Sequence, residues 1–147
     1  MPTDTARAEQ RIAAPTADVL EAIHDVAAQP EWIPEIREVE VLEVDADGLP
    51  LRAAIAAATA VGTDRYTLRY SHRTDGIAWT LESGRLQTRQ EGELTAVPAA
   101  DGSGATTVAY ALTIEHPLPL PGFVRSRIIR GLVSGSLDGL RARLEAP

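Results

Sequence analysis

The chain has 147 residues, of which 44% are hydrophobic and 24% are charged, the length and composition of one globular domain. It contains no Cys, Lys or Asn, and all 14 basic residues are Arg. This excludes disulfides, Cys-ligated zinc, a lysine Schiff base and a lysine-containing phosphate loop. The net charge of −7 repels phosphate backbones, so no nucleic-acid partner is expected.

The sequence also predicts a cytoplasmic protein. The first ten residues contain acids and no apolar core of a secretory signal. The longest stretch without a charged residue, 102–114, is too short to span a bilayer. We therefore expect no integral membrane segment.

The N-terminal third predicts a strand, a short helix and a proline-rich turn. Residues 6–14 alternate weakly, as in a strand. Asp18 and Glu21 have the spacing of a capping box, which predicts a helix that starts there. Its apolar face would consist of Val19, Ile23 and Val26. Two prolines flank Trp32 in the segment 29–34, so this helix cannot continue through it.

Further strands follow, joined by short turns. They are predicted at residues 38–45, 51–59, 65–73, 77–81, 85–97 and 108–114. The segment 65–73 carries the strongest signal, because polar and apolar residues alternate along its whole length. Short connections such as Asp75-Gly76 and the loop 100–105 favour antiparallel pairing.

The last quarter of the chain predicts one long helix after a proline-rich corner at 116–122. One flank of this helix is bulky and apolar: Ile129, Val133, Leu137, Leu140 and Leu144. A second flank has mostly small residues: Val124, Ile128, Gly131, Gly135, Gly139 and Ala142. Only the remaining arc is polar, so we expect a curved antiparallel sheet to wrap the helix.

Short motifs along the whole chain carry a family resemblance. They are Ile12-Ala13-Ala14-Pro15 followed by Val19, Pro30-Glu31-Trp32-Ile33-Pro34, Tyr66, Trp79, Gly92-Glu93-Leu94, Thr106-Thr107-Val108-Ala109-Tyr110, and Pro119-Leu120-Pro121-Gly122-Phe123. Together they resemble the START-like (SRPBCC) superfamily, especially its polyketide cyclase/dehydrase and coenzyme-Q-binding branch.

The resemblance implies a single domain over residues 1–147 with the helix-grip fold. This is an α+β fold in which a curved antiparallel sheet of six or seven strands wraps a long C-terminal helix, with short helices after the first strand. It also implies a pocket between sheet and helix, which holds apolar or amphipathic small molecules in relatives. No active-site motif of the aromatase/cyclase members is matched, so the catalytic residues are unknown.

The strand alternation predicts which side chains face such a pocket. If the concave face carries Leu68 and Leu112, all three tyrosines lie on it, and phenol groups in an apolar chamber can orient a ligand. The predicted ligand-binding residues are Tyr66, Tyr70, His72, Trp79, Gln90, Tyr110 and His116 on the sheet, and Ile128, Gly131, Leu132 and Gly135 on the helix. Thr88 follows the same alternation.

The glycines of the last helix need a physical reason. Gly131, Gly135 and Gly139 together forfeit about 2.5 kcal/mol of helix propensity relative to alanine. Either another backbone packs against the bare helix, or the missing side chains leave volume for a ligand. We predict the second.

The three histidines do not have the spacing of metal ligands. His24, His72 and His116 include no pair four residues apart, so no metal site is predicted, and no cofactor is expected. His72 or His116 could serve as a general acid or base at the rim of the pocket.

Two charged sets are predicted to lie on the surface. The convex face of the sheet would carry Arg52, Arg65, Arg69, Arg73, Arg85 and Arg89. The acidic first third, with Glu31, Glu35, Glu38, Glu40 and Glu43, is predicted to form a solvated face.

Three functions follow from these observations. The leading one is binding of a small hydrophobic molecule, apolar or polycyclic (lipid, polyketide or quinone-like), in an internal pocket. The second is a polyketide cyclase/dehydratase-type enzyme whose Tyr and His groups move protons. The third is a protein-interaction module that uses the arginine-rich convex face, so a protein partner is left open.

Overall fold

The computed structural model describes residues 3–117 and 119–146; Met1, Pro2, Leu118 and Pro147 of the predicted domain and corner lie outside the described residues. The helices are α1 (Thr16–His24), a 3-10 helix (Val26–Glu31) and α2 (Gly122–Glu145). The strands are β1 (Thr3–Ile12), β2 (Ile36–Val44), β3 (Pro50–Thr59), β4 (Gly62–Arg73), β5 (Gly76–Gly84), β6 (Arg89–Pro98) and β7 (Thr106–Glu115).

The seven strands that these residues form make one antiparallel sheet in the order β1-β7-β6-β5-β4-β3-β2. Each strand from β2 to β7 pairs with its neighbour in sequence, as short turns require. The first strand then pairs with the last. With the long C-terminal helix and the short helices after β1, this confirms the predicted helix-grip fold.

The core lies between the concave face of the sheet and the helices. Val19, Ile23 and Val26 are fully buried, which confirms the predicted apolar face of the first helical segment. The bulky flank of α2 is buried as well, at Ile129, Val133, Leu137 and Leu140. Its thin flank is only partly covered, because Ile128 remains 41% exposed.

The predicted capping box is wrong. Helix α1 begins at Thr16, directly after an extended Pro15, and no side chain caps it. The hydroxyl of Thr16 instead lies 3.0 Å from that of Thr106 on β7. Asp18 therefore lies in the first turn rather than before the helix.

The strand predicted at 85–97 begins later than expected. Residues 85–88 form a loop, and β6 starts at Arg89. Thr88 is exposed and its hydroxyl donates to Glu115, so the alternation that placed it in the pocket does not reach it. The loop backbone is held by other strands, since the Thr88 amide donates to the Glu115 carbonyl at 2.9 Å.

A close approach within the sheet fixes the position of Trp79. Trp79 on β5 lies directly opposite Gly92 on β6. A Cβ at Gly92 would overlap the indole ring, so only glycine lets this ring lie across the neighbouring strand. The ring also meets Tyr110 edge to face, with centroids 5.8 Å apart.

Candidate functional site

A cavity of about 420 Å³ lies between the concave face of the sheet and the N-terminal half of α2. This volume falls within the range of roughly 300–1,000 Å³ that is common for small-molecule sites. Its apolar walls include Ile33, Ile36, Ala57, Leu68, Leu112, Ile114, Ile129 and Leu132.

The placement of α2 leaves this space open. The helix packs most closely against β1 and β7 at one edge of the sheet, and the cavity lies between it and the inner face of β4 and β5. An ion pair of 3.0 Å between Arg125 and Asp4 ties its first turns to β1. Arg125 also donates to the carbonyl of Leu120, which holds the proline-rich corner against the helix.

Most of the predicted ligand-binding residues line this cavity. They are Tyr66, Tyr70, Trp79, Gln90, Tyr110, His116, Ile128, Gly131 and Leu132. Two of the predicted residues, His72 and Gly135, are not among the described residues that line the cavity. Ligand binding by the lining residues stays a prediction.

His72 lies in a histidine pair outside the cavity. Its Nδ1 is 2.7 Å from Nδ1 of His24, and its Nε2 meets the Pro50 carbonyl. The alternation of β4 carries Tyr70 into the cavity, but two residues later α1 covers the same face. Burial, followed by the proximity of His72, lowers the pKa of His24.

The glycines of α2 divide into two kinds. A Cβ at Gly139 would overlap the backbone carbonyl of Trp32, so here the bare helix allows close packing and the prediction of open volume is wrong. Beside Gly131 or Gly135, a Cβ would have no heavy atom of another described element within 4 Å. Of these two, Gly131 lines the cavity.

The three phenols form the polar part of the inner wall. Tyr70 and Tyr110 are 5% and 7% exposed, and Tyr66 is half-buried. Burial raises the pKa of all three well above the ordinary value for tyrosine, so they remain neutral hydrogen-bond donors near pH 7. The buried hydroxyl of Tyr70 has no hydrogen-bond partner among the described residues.

A chain of hydrogen bonds orders the wall formed by β5, β6 and the loop before β6. Trp79 donates to Gln90 at 2.9 Å, and Gln90 donates to Gln87 at 2.6 Å. Gln87 donates in turn to Asp64 at 3.0 Å, and the backbone amide of Leu86 reaches the other carboxylate oxygen at 3.3 Å. Because each side chain in this series is hydrogen-bonded to the next, the orientations of the polar groups along this wall are fixed.

Three carboxylates that line the cavity were not among the predicted site residues: Asp4, Glu35 and Asp64. Asp64 is 2% exposed and lies two residues before Tyr66, which puts both residues on the same face of β4. Asp64 was missed because the strand was predicted to begin at residue 65. Glu35 was expected on a solvated face, but it lines the cavity and its Oε2 is buried without a partner among the described residues. It follows Pro34 in the turn before β2, where no strand alternation fixes its direction.

The glutamates of β2 behave as expected. Glu38, Glu40 and Glu43 are exposed on this edge strand, as is Glu31 in the 3-10 helix. Glu35 differs because its carbonyl accepts a hydrogen bond from the Ala58 amide at 2.7 Å, which holds its backbone against β3 beside the cavity.

Arginines on the other face of the sheet are paired locally. Arg52 and Arg69 both bind Glu82, at 2.7 Å and 2.6 Å. Further ion pairs join Arg52 to Glu43, Arg65 to Glu38, Arg73 to Glu93 and Arg89 to Glu91. A protein partner for this face stays a prediction, since ion pairs among charged side chains on one solvated sheet face are ordinary.

Within the part of the chain that the structure describes, no three His, Asp or Glu side chains converge to hold a metal ion. None of its helices is long and apolar enough to cross a membrane. No set of catalytic residues is assigned.

Comparison with known sequences identifies the family. The sequence profile described as "Polyketide cyclase / dehydrase and lipid transport" matches residues 3–145. The chain belongs to this family. The predicted START-like superfamily is thereby confirmed, and no match was found among curated proteins.

Solved structures with low sequence identity share the fold. A START superfamily protein from Mycobacterium smegmatis is 22% identical with a TM-score of 0.86, over 96% of this chain and 97% of that one. A protein from Thermus thermophilus is 22% identical with a TM-score of 0.75, over 97% of each chain. The Zhui aromatase/cyclase from a Streptomyces species is 17% identical with a TM-score of 0.76, over 98% of this chain and 94% of that one. The family and fold fit a ligand-binding domain of the START/polyketide cyclase type.

Proposed function

We propose that this domain binds a small apolar or polycyclic molecule in the cavity between its sheet and α2. One observation carries the proposal: a cavity of about 420 Å³ with a mainly apolar surface contains a buried hydroxyl at Tyr70 that has no partner among the described residues. Protein interiors are normally close-packed, and buried polar groups normally have partners. A ligand supplies both the missing contacts and the missing hydrogen bond.

The energetics favour a ligand that fills the cavity rather than one that only touches its mouth. Transfer of apolar surface from water contributes about 25 cal/mol per Å². The mouth lies between the β3–β4 turn and α2, where the lining residues Val61 and Ile128 are 53% and 41% exposed. An apolar molecule entering there leaves water step by step, and the phenols at the inner wall orient its polar atoms.

The first test is whether purified protein retains or takes up a small molecule. Native mass spectrometry of the protein should show a retained ligand or a 1:1 complex with added 1-pyrenemethanol. Leu132→Trp places a large ring in the cavity and should weaken binding of this probe by about tenfold or more. Ser134→Trp is the matched control, since residue 134 is exposed on the same helix. Absence of any complex, or equal loss in both variants, would contradict the proposal.

A cyclase/dehydratase activity is the second candidate, and the placement of His116 is the observation that favours it. His116, Glu35 and the three phenols line one cavity, so a proton acceptor and neutral donors face the same space. His116→Gln should then abolish turnover of a poly-β-ketone substrate while its affinity changes by less than about tenfold. Equal loss of turnover and affinity would mark His116 as a binding residue.

A further inference from the structure

The cavity contains two carboxylates, those of Glu35 and Asp64, that are not paired with a cation among the described residues. Glu35 offers a buried carboxylate oxygen with no partner among the described residues. Asp64, 2% exposed, adds a second carboxylate, which is held by neutral donors rather than by a cation. The inner wall therefore has an excess of negative charge.

Among the described residues, the arginines that line the cavity are not paired with these two carboxylates. Of the two arginines that line it, Arg125 is paired with Asp4 at 3.0 Å. Arg127 is exposed on α2, at the mouth rather than at the inner wall. A charge at the mouth is screened by water and interacts weakly with the interior.

The unpartnered groups line the same cavity. Glu35 and the three phenols of Tyr66, Tyr70 and Tyr110 are all among its lining residues. The hydroxyl of Tyr70 lacks a partner among the described residues. Glu35 can only accept hydrogen bonds as a carboxylate, whereas the hydroxyl of Tyr70 can donate or accept one.

We infer that the cavity selects an apolar ligand whose polar end is a neutral or cationic hydrogen-bond donor, a hydroxyl or an ammonium, and discriminates against carboxylates. The inference rests on the proposed ligand binding and narrows its ligand class. A ligand hydroxyl can donate to Glu35, and it can donate to or accept from the hydroxyl of Tyr70, so it suits either buried group. A carboxylate ligand leaves Glu35 unpaired and adds a like charge in a region of low dielectric constant.

This chemistry narrows the predicted ligand list. Free fatty acids and other apolar carboxylates are disfavoured by charge. Quinones offer only acceptor oxygens, so they can accept from a phenol but cannot satisfy Glu35. Phenolic or hydroxylated polycyclic compounds and apolar amines fit best.

Three fluorescent probes with one ring system test the selection. They are 1-pyrenemethanol, 1-pyrenemethylammonium and 1-pyrenecarboxylate, titrated into the intact protein at constant ionic strength. The alcohol and the ammonium should bind at least about tenfold more tightly than the carboxylate. The reason is that they pair with the Glu35 carboxylate, whereas the carboxylate probe leaves it unpaired. Glu35→Gln should reduce this preference by about tenfold, mainly through tighter carboxylate binding and weaker ammonium binding.

The control variant is Glu38→Gln, which removes the same charge from an exposed position on β2. It should leave all three dissociation constants within about twofold. Equal binding of the three probes to the parent protein would overturn the selection while leaving ligand binding intact. The selection would also be overturned if the carboxylate bound most tightly and Arg127→Ala abolished that binding. Such a result would indicate recognition of the carboxylate at the mouth. Binding of none of the probes would overturn both proposals.

Discussion

The two halves of α2 pack in opposite ways. In the C-terminal half, Leu137 and Leu140 are 1% and 0% exposed, and Gly139 touches the Trp32 backbone. In the N-terminal half, Gly131 is exposed and Ile128 is 41% exposed, although both line the cavity. One continuous helix thus closes the core at one end and borders a cavity at the other.

The difference shows that glycine spacing on a helix does not define one packing mode. Gly131, Gly135 and Gly139 recur every four residues on one flank. Where the turn containing Trp32 approaches, the missing side chain permits backbone contact. Where no element approaches, the same residue type leaves open volume.

Removing a core side chain from the closed half should have the largest effect. Leu140→Ala should lower the free energy of unfolding by about 2–5 kcal/mol, because it leaves a cavity in a fully packed region. Ile128→Ala in the open half should cost less than about 1 kcal/mol, since much of that side chain is already in water. Urea unfolding of both variants measures this, and similar losses would abolish the distinction between the halves.

A methyl group added at the closed end should be nearly as damaging. Gly139→Ala should destabilise the protein by about 3 kcal/mol, because the new Cβ meets the Trp32 carbonyl rather than a flexible side chain. Thermal unfolding would report the loss as a lower Tm. An unchanged or higher Tm would mean that the helix and this turn are not in close contact.

The buried phenols on β4 and β7, which line the cavity beside the open half of α2, make stability sensitive to alkaline pH. Burial raises the pKa of Tyr66, Tyr70 and Tyr110 above the unfolded value of about 10. The folded state therefore keeps these protons longer, so their contribution is complete below pH 10 and declines as pH rises above it. Each phenol should cost up to about 1.4 kcal/mol per pH unit in this range.

Urea unfolding at pH 9, 10 and 11 measures how the free energy of unfolding depends on pH. Tyr70→Phe should reduce this dependence by the contribution of one phenol. Ultraviolet absorbance of the folded protein provides an independent check. Rapid formation of phenolate by all three tyrosines near pH 10 would show that they are not shielded.

The smallest expected effect is a gain in stability at the open end. Gly131→Ala and Gly135→Ala should each stabilise the protein by about 0.4–1 kcal/mol, because alanine favours the helix and its methyl group meets no other element. Differential scanning calorimetry can resolve such a shift. A clear drop in Tm for either variant would place a neighbour close to this part of the helix.

Local patterns predicted the fold well where they repeat over many residues. The alternation along 65–73 placed Tyr66, Leu68 and Tyr70 on one face, and all three line the cavity. The alternation also placed His72 on this face, but His72 does not line the cavity, because His24 of α1 contacts it there. Periodicity determines the face of a strand, whereas the element packed on that face is a tertiary property.

The sequence by itself determined the antiparallel strands, the long last helix and the family to which they point, because turns, alternation and helical spacing are local. Only the tertiary structure decided which glycine of α2 packs closely and which remains open. It also decided that Glu35, which stands in a turn without periodicity, lies in the cavity beside Asp64 and the phenols. These outcomes depend on where separate elements meet, and no spacing within one segment encodes that meeting.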